Sequence, residues 1–345
     1  MNKRFLTDWA LLAYGLTAIV AALCMVLVGC GSGIATGLPG TSQPLAAVAA
    51  GPVLGYVFSP SDGTLRAMTG VRGSAQMSAS IVPAGVYIAG EASVASSTAL
   101  LQDASGTLFA FALPQSQPVH VVDGLAPGVR IAFSASGKNA VAYTPRGSAI
   151  TVISGLPATP QVQTRTVPAG MQMTSAVVSD AGTIALAAES TPMAVGVLSA
   201  AGQYSSLVGV KALGGMSFMP GADDLLVADS GANTATLVRN AAGSAASQTL
   251  AVSGLNQPVA VAGSRDGRWA VIADGGDGNV FRVDLTGGTA TAKLACACQP
   301  TLLGQLAGGS TFRLNPLYNG PVWTVNLTGT SPQMLFVPAI AKGTP

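Results

Sequence analysis

Charged residues are scarce in this sequence. Lys, Arg, Asp and Glu together make up 9% of the 345 residues, against about a quarter in ordinary soluble domains. Long amphipathic helices need charged exposed faces, so this composition disfavours them. With 16 basic and 14 acidic side chains, the formal net charge is only +2. The long-range positive field that attracts nucleic acid is therefore lacking, and we expect no nucleic-acid partner.

Histidine is almost absent. A single histidine, His120, excludes a multi-histidine metal site and a histidine relay. It alternates with apolar residues in segment 118–122, which predicts a half-exposed strand residue rather than a catalytic base. A Gly-x-Ser-x-Gly elbow, a phosphate loop and a dinucleotide fingerprint are also missing from the strand-turn-helix context that each requires. We therefore assign no catalytic residue, and the sequence does not identify a ligand.

The N-terminus has the pattern of an export signal. A short basic start at residues 1–4 precedes an uncharged apolar run at 9–28. About 20 apolar residues would also cross a bilayer, so length alone does not separate a signal peptide from a membrane span. Small residues follow the run, and no Lys or Arg occurs between it and Arg66. This ending favours cleavage over a stop-transfer flank.

The end of the run, Leu27-Val28-Gly29-Cys30, resembles the lipobox of bacterial lipoproteins. The resemblance implies a signal peptide at 1–29, a lipid on Cys30 and attachment to membrane lipid through the acylated N-terminus. Two or three acyl chains hold a protein on a membrane stably. A plain membrane anchor with an incidental cysteine is the alternative.

The residues after Cys30 predict where the protein resides and how it is attached. Gly31 and Ser32 stand where an Asp would retain an enterobacterial lipoprotein on the inner membrane. The resemblance thus implies a lipid-anchored outer-membrane protein of the cell envelope, either periplasmic or surface-facing. Residues 30–50 are rich in Gly, Ser, Thr, Pro and Ala and carry no charge. This composition predicts a flexible tether before a folded domain at 51–345.

The rest of the chain repeats one pattern seven times. Each repeat has an apolar run of strand length, a turn rich in Gly, Asp, Ser, Pro or Asn, and a second apolar run, which is typical of a β-hairpin. Successive hairpins start 41 to 45 residues apart. The starts are Gly55, Ala99, Ala140, Ile184, Leu225, Ala270 and Phe312.

Further short apolar runs flank most hairpins. Segments 129–133 and 259–262 precede their hairpins and predict a third strand, and segments 161–167 and 248–252 follow theirs and predict a fourth. Four short strands per repeat are typical of a β-propeller, whereas solenoid units are usually shorter or helical. We therefore predict an all-β fold, a seven-bladed β-propeller of four-stranded antiparallel blades.

Two hairpins resemble those of NHL-type and YVTN-type bacterial propellers. Segment 227–229 reads Val-Ala-Asp and is followed by Asn233, and segment 272–274 reads Ile-Ala-Asp and is followed by Asn279. The last repeat, with its Cys-Ala-Cys-Gln-Pro-Thr segment at 296–301 and the aromatic residues after it, resembles that of uncharacterised acidobacterial propeller proteins. These resemblances imply the fold far more than a function.

The sequence leaves two possibilities for how the ring closes. The first hairpin is preceded only by segment 45–48, which is a poor inner strand, while segment 334–337 predicts a convincing strand at the other end. Either the N-terminal segment pairs beside the last blade, or six and a half blades close by packing alone.

Cys296 and Cys298 form a Cys-Ala-Cys motif on a predicted outer strand at 290–298. An exported protein permits a disulfide. Residues i and i+2 of a strand share a face, but their Cα atoms lie about 6.6–6.8 Å apart, at the upper end of the disulfide range. A bond would need a local bend. We favour a structural disulfide over two free thiols and over redox or metal chemistry.

Polar side chains recur at the turns of successive hairpins. The matched positions are Ser59, Asp103, Thr144, Ala188, Asp229, Asp274 and Pro316, with Glu189 one step later. Carboxylates repeated around a ring could converge on the channel and hold a cation. We favour the other interpretation, in which turn residues accept backbone N–H bonds locally.

One turn slightly resembles a calcium loop. Segment 274–279 contains Asp274, Asp277 and Asn279, but it lacks the acidic spacing and the closing Glu of such a loop. We assign no cofactor, and calcium is the one candidate.

Two functions are compatible with these observations. The first is a binding or scaffold module that holds a protein, peptide or glycan with the loops at one end of the ring. The alternative is a propeller enzyme of the lactonase or quinoprotein type with a cation site in the channel. The distinguishing question is whether the polar candidates share one cavity or point into separate turns. These candidates are Glu91, Asp103, Glu189, Asp229, Asp274 and Asn279.

Overall fold

Short alternating segments and glycine-rich turns fold this chain into seven small antiparallel sheets around a central channel. The computed structural model describes residues 51–114, 117–189, 193–318, 320–329 and 331–339. Every regular element in these ranges is a β-strand. Over the same residues, none forms a helix of the length and apolarity that a membrane span requires. The predicted signal peptide, Cys30 and the tether lie outside the described residues.

Each sheet is one blade, and its strands are numbered in chain order. Blade 1 contains β1 (Val53–Ser59), β2 (Thr64–Val71) and β3 (Ser74–Ser80). Blade 2 contains β4 (Tyr87–Ser93), β5 (Thr98–Asp103), β6 (Leu108–Ala112) and β7 (Val119–Val122). Blade 3 contains β8 (Arg130–Phe133), β9 (Ala140–Tyr143), β10 (Ala149–Ser154) and β11 (Gln161–Thr166). Blade 4 contains β12 (Gln172–Val178), β13 (Ile184–Glu189), β14 (Met193–Leu198) and β15 (Tyr204–Val210).

The remaining three blades follow the same plan. Blade 5 contains β16 (Leu213–Phe218), β17 (Leu225–Asp229), β18 (Thr234–Arg239) and β19 (Ala246–Thr249). Blade 6 contains β20 (Pro258–Gly263), β21 (Trp269–Asp274), β22 (Asn279–Asp284) and β23 (Thr289–Ala295). Blade 7 contains β24 (Gly304–Gln305), β25 (Thr311–Arg313), β26 (Val322–Asn326) and β27 (Gln333–Val337).

The strands of each blade pair in sequence order, from the channel outward. We number these places positions 1 to 4, so that position 1 borders the channel and position 4 is outermost. The hairpins predicted from the repeat are the strands at positions 2 and 3. The all-β, seven-bladed propeller of antiparallel blades is confirmed, and blades 2 to 7 each show four strands.

Blade 1 differs from the others because three of its strands lie within the described residues. The last five residues of β1 are all buried, as in the position-2 strands β9 and β17. Position-1 strands such as β8 are only half-buried. β1 therefore occupies position 2, and no described strand of blade 1 borders the channel.

Apolar side chains between neighbouring blades hold the ring together. Blades 7 and 1 meet in a cluster formed by Val57 and Met68 on one side and Leu306, Val322 and Val337 on the other. Burying such side chains stabilises a fold by roughly 1.5–3 kcal/mol each. All four strands of blade 7 are consecutive in the chain. Within the described residues, the ring thus closes through packing between blades.

The ring has two faces, which carry different turns. Because neighbouring strands are antiparallel, the turns between positions 1 and 2 and between positions 3 and 4 share one face, which we call the 1–2 face. The turns between positions 2 and 3 and the connections between blades lie on the opposite face, which we call the 2–3 face.

Candidate functional site

The central channel contains a cavity of about 360 Å³. The position-1 strands of blades 2 to 7 line it, and they are rich in Ala, Gly, Val and Ser because strands that converge on a narrow channel leave room only for small side chains. The neutral polar side chains of the lining are Ser93, Ser134, Ser217, Thr301 and Gln305. Among the described lining residues, Glu91 and Arg313 carry charge.

Arg313 reaches the channel from position 2 of blade 7. Its neighbour at position 1 is Gly304, which pairs with it and has no side chain to cover the guanidinium. A Cβ at Gly304 would lie 3.2 Å from the Nε of Arg313. Only 5% of Arg313 is exposed. Burial lowers the pKa of Arg313, and the carboxylate of Glu91 opposes that shift.

The guanidinium of Arg313 has few protein partners. Its Nη1 donates to the carbonyl oxygen of Asn315 at 3.1 Å, and its Nη2 lies 3.8 Å from Oε1 of Glu91, which is beyond hydrogen-bond distance. A guanidinium carries five N–H donors. Only one described protein acceptor is bonded to this one, and the group lines the cavity.

A second buried arginine has more protein acceptors than Arg313. Arg282 in blade 6 is 8% exposed. Its Nε donates to Thr291, and its Nη1 donates to the carbonyl oxygens of Leu327 and Gly329 at 3.3 and 3.0 Å. Its guanidinium carbon lies 4.5 Å from the ring centre of Trp269. Arg282 is thus held by three protein acceptors, whereas Arg313 lines the channel cavity and has one acceptor among the described residues.

The contact between Arg313 and Glu91 joins two blades that are not neighbours. Glu91 lies on β4 of blade 2, and Arg313 lies on β25 of blade 7. Blade 1 stands between these two blades, and its described strands lie at positions 2 to 4. Sequence reasoning missed Arg313. The available signal was a charge at the second hairpin residue, which is apolar in the other six hairpins.

The carboxylates of the 2–3 turns accept backbone N–H groups. Asp229 accepts from Lys211, Ala212, Gly231 and Ala232 at 2.8–3.1 Å, and so fixes both its own turn and the connection between blades 4 and 5. The Asp229 carboxylate therefore accepts four backbone N–H groups and stabilises the turn.

Asp274 and Asp103 are used in a similar way. Asp274 accepts from the backbone N–H groups of Asn256 and Gly276, and burial raises its pKa against the effect of these bonds. Asp103 accepts from Ser105 and from the N–H of Thr107. The bond from the Ser105 hydroxyl lowers the pKa of Asp103 most.

The remaining turn candidates lie apart from the channel. Asn279 pairs with Asp274 across the hairpin of blade 6. Asp277 accepts from the side-chain amide of Asn256 at 2.8 Å, and Glu189 lies 3.1 Å from Arg146. Of the polar candidates, only Glu91 lines the channel cavity. In the described part of the chain, no three His, Cys, Asp or Glu side chains group as a metal site would require.

His120 lies on β7, the outermost strand of blade 2. Its Nε2 is 2.9 Å from Oδ1 of Asp123, and the side chains of both residues are more than half exposed. The imidazole packs edge-on against Phe109. His120 therefore belongs to the outer surface of the blade and is not among the residues that line the channel cavity.

Cys296 and Cys298 are joined by a disulfide. The strand before them is shorter than expected, because β23 ends at Ala295 rather than continuing through Cys298. The chain bends there, and the two Cα atoms lie 4.9 Å apart. The N–H of Cys296 donates to Gly278 at 2.8 Å, which holds the disulfide loop against the 2–3 turn of blade 6.

Comparison with known proteins supports the fold. The virginiamycin B lyase of Staphylococcus aureus is similar in structure, with a TM-score of 0.55 and 11% identity over 73% of this chain and 84% of the lyase. A functionally unknown protein from Desulfotomaculum acetoxidans gives a TM-score of 0.57 and 13% identity over 84% and 96% of the two chains. A protein from Lactobacillus plantarum gives 0.57 and 12% over 83% and 96%.

These likenesses show the propeller fold and nothing finer, because the identities are so low. No family model matches the chain. No curated protein matches its sequence either.

Proposed function

We propose that the protein is an exported lipoprotein of the cell envelope whose propeller is a binding module for a carboxylate-bearing protein, peptide or glycan. The observation that supports binding is Arg313, a buried guanidinium that lines the channel cavity and has one hydrogen-bond acceptor among the described residues, where Glu91 is the other charged residue of the lining. The proposed attachment to the cell envelope is based on the resemblance of the segment ending at Cys30 to a lipobox.

The chemistry of the channel favours a carboxylate. A guanidinium presents its N–H groups as a planar fork that matches the two oxygens of a carboxylate. The burial of Arg313 lowers the local dielectric constant and so strengthens such a charge-assisted bond. The cavity of about 360 Å³ lies at the lower end of the range of small-ligand sites, so it suits a terminal group rather than a whole polymer.

Glu91 competes with such a ligand. Its carboxylate lies 3.8 Å from the guanidinium of Arg313, and a second anion there would meet its charge. Removing the charge of Glu91 should therefore strengthen anion binding, while removing the charge of Arg313 should abolish it. Opposite effects of the two substitutions on anion binding distinguish a ligand site from a purely structural ion pair.

The binding proposal is tested with N-acetylglycine and its uncharged amide, N-acetylglycinamide. A ligand that binds only the folded protein raises its melting temperature. We expect the acid, but not the amide, to raise the melting temperature of the wild-type protein. Arg313→Met should remove that shift, and Glu91→Gln should enlarge it. Arg282→Met is the matched control, a buried arginine outside the channel, and should keep the shift.

Equal shifts with the acid and the amide, or a shift that survives Arg313→Met, would overturn the carboxylate site. The comparison is made within each variant, so a lower starting stability of Arg313→Met does not obscure the result.

The lipid anchor is tested by mass spectrometry of the protein from membranes. We expect an N-terminal lipid-modified Cys30, and we expect Cys30→Ala to accumulate as unprocessed precursor. Cys24→Ala is the matched control, because Cys24 lies within the same apolar run and its loss should leave processing intact. An unmodified Cys30 in the wild-type protein would contradict the proposal.

A further inference from the structure

A second cavity, of about 530 Å³, opens on the 1–2 face of the ring. Its lining comes mainly from the 1–2 turns of blades 2 to 7. The second cavity adjoins the channel cavity that contains Arg313, because the two share several lining residues. The shared residues are Val94, Ala95, Ala135, Pro220 and Gln305. We call the second cavity the channel mouth, since a ligand that enters from the 1–2 face passes through it to reach Arg313.

Two cations line the channel mouth, Lys138 in blade 3 and Arg265 in blade 6. Both residues are exposed. Among the described residues, neither cation lies within 4.0 Å of an acidic side chain. The described residues include every acidic side chain of the sequence except Asp8. The charges of Lys138 and Arg265 are therefore not compensated by an ion pair within the described part of the propeller.

Asp180 is the carboxylate in the described lining of the channel mouth. Its two oxygens accept the backbone N–H groups of Ser136 and Gly221, at 2.8 and 3.0 Å. This carboxylate therefore joins the turns of neighbouring blades. The described lining of the mouth thus carries two cations against one carboxylate.

Carboxylates recur at the opposite end of the channel. Asp103, Asp229 and Asp274 end the position-2 strands of blades 2, 5 and 6, so they lie on the 2–3 face. The charges around the entrance to a cavity attract ligands of opposite sign and repel ligands of like sign. This distribution favours the approach of an anionic ligand from the 1–2 face.

The channel cavity suits apolar groups close to the carboxylate of a ligand. Ile131, Val177, Met216, Val259 and Leu303 are among the residues that line it. A buried hydroxyl group without a hydrogen-bond partner costs free energy, and each sugar ring brings several hydroxyl groups. A peptide with small apolar side chains brings fewer polar groups into the channel. The lining therefore favours a peptide over a glycan.

The distance from Arg313 to the channel mouth sets the length of such a peptide. Gly304 pairs with Arg313, and Gly308 lies in the lining of the mouth. The four steps of chain from Gly304 to Gly308 span at most roughly 14 Å. An extended ligand whose last residue contacts Arg313 therefore reaches the mouth with about its fifth residue from the end.

We propose that the channel binds the free carboxy-terminus of a peptide chain, which enters from the 1–2 face. The terminal carboxylate contacts Arg313, and the last residues of the peptide are small and apolar. Acidic residues about five positions from the end contact Lys138 and Arg265. This inference rests on the carboxylate site proposed at Arg313, and it adds the class of ligand, the direction of entry and two residues that select the ligand.

Fluorescence anisotropy of the full-length protein with labelled peptides tests this ligand class. The acidic peptide is Glu-Glu-Gly-Ala-Ala-Val with a dye on its amino end and a free carboxylate. The neutral peptide has Gln in place of each Glu, and the blocked peptide is the acidic peptide with a carboxy-terminal amide. We expect the acidic peptide to bind about 5-fold more tightly than the neutral peptide, as for two exposed ion pairs. The blocked peptide should bind more weakly than either.

Substitutions at the two ends of the channel test the direction of entry. Lys138→Gln combined with Arg265→Gln should remove the preference for the acidic peptide and leave the affinity for the neutral peptide unchanged. Lys211→Gln is the matched control, because Lys211 is an exposed cation in the connection between blades 4 and 5, on the 2–3 face. This control should keep the preference. Added salt should weaken the preference, since salt screens exposed charges.

Three results would overturn the inference. Equal affinities for the acidic and neutral peptides would show that the mouth does not select anions. A preference that Lys211→Gln removes, or that survives the double substitution, would place the contact elsewhere. Tighter binding of trigalacturonic acid than of the acidic peptide would favour a glycan. The proposed function fails by a different result, the lack of a melting-temperature shift with N-acetylglycine, so the two failures are distinguishable.

Discussion

At the scale of single residues, the same side-chain type takes different roles according to its partners. Arg282 and Arg313 are both buried, but among the described residues the first donates to three acceptors and the second to one. The two arginines differ in how many of their N–H groups are hydrogen-bonded to protein. A buried N–H group without a protein acceptor can bind a ligand or water.

Asp180 illustrates how a single carboxylate couples neighbouring blades. It lies in the 1–2 turn of blade 4 and accepts from the N–H groups of Ser136 in blade 3 at 2.8 Å and of Gly221 in blade 5 at 3.0 Å. Burial alone would raise the pKa of Asp180, but the hydrogen bonds from Ser136 and Gly221 outweigh it and lower the pKa.

The Asp180 carboxylate should make stability depend on pH. A folded-state pKa below the unfolded value of about 3.9 means that its contribution is present above pH 4 and is lost as the pH falls through the folded pKa. We expect Asp180→Asn to lower the free energy of unfolding at pH 7 and to lower it less at pH 2.5. Denaturant titrations at both pH values measure this. An equal loss at both would show that the charge is not responsible.

At the scale of elements, strand position within a blade governs composition. Position-2 strands such as β21 are buried almost throughout, and position-4 strands such as β11 and β19 are mostly exposed. The disulfide follows β23 at the outer end of blade 6. It acts on a connection rather than on a strand, because Cys296 donates to the 2–3 turn of the same blade.

Loss of the disulfide should have a small, local effect. A bridge that closes a three-residue loop lowers the entropy of the unfolded chain by the equivalent of about 1.6 kcal/mol. We expect Cys296→Ser with Cys298→Ser to lower the free energy of unfolding by no more than that and to leave binding of the channel probe unchanged. Thiol titration of the unfolded mature wild-type protein without reductant should find no free pair. Loss of folding or of probe binding would show a larger role.

At the scale of the whole molecule, stability depends on how closely the blades approach one another. The inner strands of blades 5 and 6 meet backbone to backbone at Gly214 and Gly215, and a Cβ on Gly215 would lie 3.1 Å from the Cα of Ala260. A Cβ on Gly214 would collide with the carbonyl oxygen of Pro258. Backbone cannot move aside as a side chain can, so the ring would have to open locally.

Gly214→Ala should therefore destabilise the entire propeller. We expect a loss of about 1–3 kcal/mol in the free energy of unfolding, as for other overpacked sites. Gly209→Ala is the control, because the nearest atom to its added Cβ is the carbonyl oxygen of Met193, at 3.9 Å. Chemical denaturation of both variants gives the comparison. A Gly214→Ala variant as stable as the control would mean that the blades can separate there without cost.

The sequence by itself determined the repeat, the hairpins and hence the seven-bladed all-β fold. These features depend on residues that are close in the chain, since strand alternation and turn chemistry act over a few residues. The carboxylate roles at Asp103 and Asp229 were also foreseen as local turn bonds. The site residue Cys30 stays a prediction, outside the described residues.

Only the tertiary structure decided what faces the channel. Arg313 and Glu91 are far apart in the chain and meet because the ring brings blade 7 and blade 2 to either side of blade 1. Whether β1 stood at position 1 or 2 was likewise settled by its burial. Local sequence patterns specify strands and turns, but the contents of a channel depend on the distances between blades, and ring closure alone sets those distances.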